Sequence, residues 1–150
     1  YLLYQQRKRQ QTKAVKEIRR CDYAPPTHLI DEISLTVKLD DPSLPKVGYA
    51  SVEAVMALRK QSDVDLVLNA EALEILEVAV NAPDGWRVLA PDDYLYNVEA
   101  ETLVISCKAL LPGVQTVEVR TRVALEPEAN KLFQGLYKSS GVYCTQMEAE

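Results

Sequence analysis

Val117, Val119, Thr121 and Val123 alternate with Glu118, Arg120 and Arg122. Successive side chains of an extended chain point to opposite faces, so this stretch must bury one face and wet the other. A second stretch repeats the pattern: Ile33, Leu35, Val37 and Leu39 alternate with Ser34, Thr36 and Lys38, which predicts a half-buried strand. Turn chemistry separates such runs, at Asp40-Asp41-Pro42-Ser43-Leu44-Pro45, Pro83-Asp84-Gly85 and Leu111-Pro112-Gly113. Tyr94-Leu95-Tyr96-Asn97-Val98 and Thr102-Leu103-Val104-Ile105 are short β-rich runs on either side of a polar Glu99-Ala100-Glu101 link. Strands this short, punctuated every 8–12 residues or so, predict a mainly β, antiparallel domain.

One region resists this reading. Between Tyr49 and Val80, the run Glu71-Ala72-Leu73-Glu74-Ile75-Leu76-Glu77 favours helix by composition. Val64, Leu66 and Leu68 nevertheless alternate, as do Val78 and Val80, and Asn69 and Asn81 punctuate them. Local propensity leaves the region open between helix and strand.

The chain of 150 residues is about one domain long, 47% hydrophobic and 26% charged, which is the composition of a soluble globular protein. Its formal net charge of -5 argues against a nucleic-acid partner, and the eight tyrosines do not cluster with basic residues into a stacking platform. No apolar run approaches the ~20 residues that cross a bilayer as a helix. The charge is uneven. Residues 1 to 20 carry Arg7, Lys8, Arg9, Lys13, Lys16, Arg19 and Arg20 against the single acid Glu17, and read as a basic arm, either a short helix or disordered. Such a start also resembles the remnant of an organelle transit sequence. Ala24-Pro25-Pro26 ends any helix, so the domain proper is read as residues 21 to 150. Cys21, Cys107 and Cys144 are widely spaced and odd in number, which fits a reducing, cytoplasmic setting with each thiol a small buried or half-buried apolar group.

Catalytic chemistry is thin. The one histidine, His28, reads as a surface or turn residue, and a single imidazole cannot make an H-E-x-x-H zinc site. No G-x-S-x-G elbow presents a serine, and the five glycines are too scattered for a phosphate loop. Asp40-Asp41 and Asp92-Asp93 lie in turn-like stretches and read as loop caps. The closing run Thr145-Gln146-Met147-Glu148-Ala149-Glu150 differs. As a strand it places Gln146 and Glu148 on one face, an amide beside a carboxylate, and no turn signal follows it. The chain therefore reads as part of something longer, and its domain as incomplete.

The same closing segment carries a resemblance. Gly135-Leu136-Tyr137-Lys138-Ser139-Ser140-Gly141 followed by Cys144-Thr145-Gln146-Met147-Glu148-Ala149-Glu150 resembles the N-terminal domain of the aminopeptidase N family of zinc metallopeptidases, in which a G-L-Y-x-S segment leads into T-Q-x-E-A. Asp22-Tyr23 with Pro25 or Pro26, the stretch Ile33–Asp40, and Leu66-Val67-Leu68-Asn69-Ala70-Glu71-Ala72-Leu73 resemble further family segments in the same order. The likeness covers roughly residues 20 to 150 and is most specific over the last sixteen. It implies a saddle-like antiparallel β-sheet or sandwich, and so strand rather than helix over residues 49 to 80.

It also implies a function. The complete protein would be a zinc-dependent aminopeptidase, its metal held in a thermolysin-like catalytic domain that this chain lacks. The substrates would be peptides with a free N-terminus. By the family's pattern Glu148 would bind the substrate's α-amine and Gln146 would line the pocket for its first side chain, with Met147 packing on the other face. The competing expectation is a non-catalytic β-sheet module that binds a partner through an exposed edge or its basic arm.

Overall fold

The computed structural model describes residues 25–131 and 133–146. The expected basic arm at residues 1 to 20 and Glu148 lie outside this range. Ten strands follow in order: β1 (His28–Lys38), β2 (Ala50–Lys60), β3 (Leu66–Asn69), β4 (Glu74–Ala82), β5 (Gly85–Val88), β6 (Tyr94–Asn97), β7 (Thr102–Ile105), β8 (Thr116–Leu125), β9 (Gly135–Ser139) and β10 (Val142–Gln146). One 3-10 turn, Pro91–Asp93, precedes β6. The protein is mainly β, and every pairing given is antiparallel.

Five strands form one sheet in the order β1-β2-β8-β4-β5, three form a second in the order β3-β7-β6, and β9 and β10 make a hairpin. The first two sheets share one core. Met56 and Leu58 from β2, Val117 and Val119 from β8, and Val78 and Val80 from β4 meet Leu66 of β3 and Leu103 and Ile105 of β7. Residues directly opposite in an antiparallel pair share a face. Met56 lies opposite Val119, and Val119 opposite Val80, so one buried row crosses three strands. This row settles the ambiguous middle of the chain. Helix-forming residues around Glu74 are strand because Val78 and Val80 fill a sheet-shaped core, and that burial overrides local propensity.

The other face of the large sheet is polar. There Arg120 donates to Glu77 at 2.8 and 3.1 Å and lays its guanidinium 4.6 Å from the centre of the Trp86 ring. The amphipathic alternation over residues 117 to 123 is therefore realised as read.

β1 corrects an expectation. It is a strand, but its aliphatic residues are not buried: Ile33, Leu35 and Val37 are 51%, 61% and 50% exposed. They lie opposite Met56, Ala54 and Val52, on the same side of the sheet as the core. Core residues from the large sheet come from β2, β8 and β4, none from β1, because the four-residue strands of the second sheet do not extend over this edge. His28 corrects a second one. Expected at the surface, it opens β1 with its ring buried, its Nδ1 3.0 Å from the Thr27 hydroxyl. Burial, and then the charge of neighbouring Lys60, pull it below its usual pKa of 6.5 and so favour the neutral ring. Lys60 is itself enclosed, donating to Asp63 at 2.8 Å and to the carbonyls of Leu110 and Leu111 at 3.2 and 3.1 Å.

One acid of each pair, Asp93 and Asp41, behaves as a loop cap, as expected. Asp93 accepts from the Ala90 amide at 3.2 Å. Asp41 is buried in the loop between β1 and β2, where it accepts from the Ser51 hydroxyl and, at 2.9 Å, from the Ser43 amide. The Ser51 bond, and then those from Ser43, hold the Asp41 carboxyl at about 2 against an ordinary 3.8. A depressed carboxylate pKa adds stability above about pH 4, and that stability is lost as pH falls toward 2. Ser51→Ala is thus expected to destabilise the chain at pH 7 and to lose most of that difference by pH 2.5. Urea unfolding at the two pH values measures it, and an equal gap at both would contradict the account.

Candidate functional site

The β9–β10 hairpin owes its shape to a two-residue turn. Ser140 and Gly141 both have positive φ, +49° and +82°, as the hairpin turn matched to the right-handed strand twist requires. Val142 then pairs with Ser139, and the register runs through Tyr143 opposite Lys138, Cys144 opposite Tyr137 and Thr145 opposite Leu136, to Gln146 opposite Gly135.

Alternation divides the side chains. Val142, Cys144 and Gln146 share one face with Tyr137 and Gly135, while Tyr143 and Thr145 share the other with Lys138 and Leu136. On the first face Tyr137 meets Phe133 edge-on, ring centres 5.2 Å apart and planes at 78°. Gln146 ends β10, exposed, and across from it stands a glycine with no side chain to crowd it. Gly135 sits at φ +67°, a backbone conformation that favours glycine. Glu148, two residues on, lies outside the described residues, so the shared face proposed for Gln146 and Glu148 is seen only at Gln146.

The hairpin is tied to the sandwich at both strands. The Lys138 amide donates to the Pro127 carbonyl at 3.0 Å, and Pro127 is fully buried just after β8. Asn130 donates through Nδ2 to the carbonyls of Gln134 and Leu136, at 2.7 and 3.0 Å, and folds the approach to β9. On β10 the Tyr143 hydroxyl donates to Asp40 at 2.6 Å, across 103 positions of sequence. That bond, then burial and the Asp40 charge, raise the Tyr143 pKa above its usual 10.0, so the phenol stays a donor across the physiological range. The Lys138 ammonium covers the same ring at 4.9 Å.

Asp40, Tyr143 and Asn130 were not foreseen as parts of the site. The dipeptide Ser140-Gly141 was a legible turn signal for the hairpin, but nothing in the sequence links Asp40 to Tyr143. Cys144 and Cys107 are free and partly buried, as expected.

No three His, Cys, Asp or Glu side chains converge as metal ligands among the described residues, and the buried His28 points to no such group. The described residues do not fit a zinc site, and no step is assigned to a metal held by them. No helix among the described residues is long and apolar enough to cross a membrane.

No family model matches the chain. It is 32% identical over 139 residues to aminopeptidase N of Caulobacter vibrioides, a match covering 93% of the chain, and 34% identical over 131 residues to aminopeptidase N of Escherichia coli strain K12, covering 87%. Over the residues it covers, the chain belongs to the aminopeptidase N family. It spans 14% and 13% of the lengths of these two relatives. Residues forming the β sandwich and the hairpin are thus a β portion of an aminopeptidase N-type protein.

Proposed function

We propose that this chain is the substrate-anchoring β domain, residues 21 to 150, of a zinc-dependent aminopeptidase that removes N-terminal residues from peptides. The observation that carries the reading is the kinship over nine-tenths of the chain to two proteins named aminopeptidase N, joined to a strand that delivers Gln146 to an exposed end. In this reading Glu148 pairs with the substrate's α-amine. A peptide amine has a pKa of about 7.7–8.0 and is largely cationic near neutral pH, so a carboxylate fixed on a strand binds it and sets how far the first peptide bond lies beyond. Cleavage one residue from the end follows from that spacing. Gln146 stands beside the first side chain, where a neutral amide admits varied shapes.

Hydrolysis itself is assigned to a zinc-bearing domain in the part of such a protein that this chain does not cover. The open apolar row Ile33, Leu35 and Val37 supports this arrangement, since a face of this kind gains from being covered by a further domain. A cytoplasmic setting is part of the proposal.

The test is made on the full-length protein carrying this segment. It is expected to hydrolyse an amino-acid arylamide with a free amine and to leave the N-acetylated arylamide intact, because acetylation removes the cation that Glu148 binds. Comparable hydrolysis of both would refute amine anchoring.

A further inference from the structure

A two-stranded hairpin is marginally stable by itself, so the placement of Gln146 depends on what holds β9 and β10 to the sandwich. On the β9 side the ties are to backbone, through Pro127 and Asn130. On the β10 side the Tyr143 hydroxyl reaches the loop that closes β1, ending on Asp40. We propose that this bond is a latch that sets the position of the substrate-contacting end of β10, with Tyr143 and Asp40 as positioning residues that touch no substrate themselves. The proposal rests on the reading of Gln146 and Glu148 given above.

Four features of the geometry support it. Tyr143 stands three residues before Gln146, about 10 Å along a strand, near enough for a lateral shift at one to move the other. Tyr143 lies on the opposite face from Gln146, so the latch holds the strand without occupying the space in front of the amide. The acceptor is anchored: Asp40 adopts φ +48°, a left-handed conformation that Asp tolerates better than most residues. The next residue, Asp41, is bound by Ser51 and Ser43 and through its amide to the Tyr49 carbonyl at 2.9 Å. The donor is anchored too, because Lys138 lies over the tyrosine ring from the paired strand. A phenol donating to a carboxylate is a charge-assisted bond, stronger than one between neutral groups. The paired acids of this loop thus divide their work, Asp41 folding the loop and Asp40 extending it to the hairpin.

The experiment is steady-state kinetics of the full-length aminopeptidase carrying this segment, on an amino-acid arylamide. Tyr143→Phe keeps the ring under Lys138 and removes the donor. It is expected to lower kcat/KM about three- to tenfold, as loss of an exposed charge-assisted contact and a small misplacement would. Asp40→Asn keeps both the left-handed turn and an acceptor oxygen, so its loss is expected to be smaller. The double variant Tyr143→Phe with Glu148→Ala separates positioning from general support of the fold. With the amine anchor gone, Tyr143→Phe is expected to make a smaller further difference, the part that acts through Gln146 alone. An equal loss in both backgrounds would mean that the bond only stabilises the domain, and would overturn the latch. Wild-type kinetics in Tyr143→Phe would overturn it as well, while an impaired Glu148→Ala would leave the anchor reading intact. Wild-type kinetics in Glu148→Ala would instead overturn the anchor reading, and the latch with it.

Discussion

Under the proposed amine anchoring, Glu148→Ala in the full-length protein carrying this segment is expected to reduce kcat/KM on an amino-acid arylamide by roughly 10–100-fold. The substitution removes one hydrogen-bonded charge pair, worth about 1.5–3 kcal/mol where the partner is ionised, and each ~1.4 kcal/mol is a factor of ten in rate. The loss should depend on the substrate's charge. Above a pH of about 8 the amine is increasingly neutral, the wild-type protein loses the same interaction, and the ratio of wild type to variant should narrow. Glu148→Gln keeps the shape and a neutral acceptor, so its activity is expected to fall between the two. The decisive comparison is kcat/KM for the three proteins at pH 7 and pH 9. A ratio near one at pH 7 would remove Glu148 from amine recognition.

The second large effect concerns the fold. Leu58 is fully enclosed on β2, within the core shared by the five- and three-stranded sheets. Leu58→Ala is expected to destabilise the chain by about 2–5 kcal/mol, the cost of lost burial plus the cavity left by partial relaxation. Leu35→Ala makes the same chemical change on neighbouring β1, where the side chain is 61% exposed. There the expected loss is within about 0.5 kcal/mol, as at other exposed sites. Urea unfolding of both variants tests the assignment of the core directly. Similar losses at the two positions would show that β1 is as well covered as β2.

These contrasting leucines show where sequence reading succeeds and where it stops. Alternation identified β1 and β8 as strands, because a period of two is a property of the extended backbone. It assigned an apolar face to each. Whether that face is covered depends on which strand becomes an edge and how far the opposing sheet extends, and neither is encoded locally. Val119 is buried and Leu35 exposed, although their immediate neighbours look alike. The same reasoning applies to the middle of the chain. Glu74–Ala82 is β4 since Val78 and Val80 fill the shared core beside β8, a strand distant in sequence, and composition alone left helix and strand open. His28 is buried for a comparable reason, standing opposite Lys60 at the start of the β1–β2 pair.

The candidate site divides along the same line. Its proposed chemistry is read in order along the chain: an amide and a carboxylate two positions apart after Gly-Leu-Tyr, in a pattern that resembles the aminopeptidase N family. So is its turn, since Ser140-Gly141 carries the backbone freedom that a tight hairpin needs. What the tertiary structure decided was support. Tyr143 meets Asp40 from 103 residues away because the β1–β2 loop and the hairpin come together at one end of the sandwich. Short-range physics, side-chain alternation and turn conformation, is legible in sequence because it involves neighbours. The covering of a strand's face and the bracing of a hairpin involve partners fixed only when the sheets assemble, and for this protein those were decided by the fold.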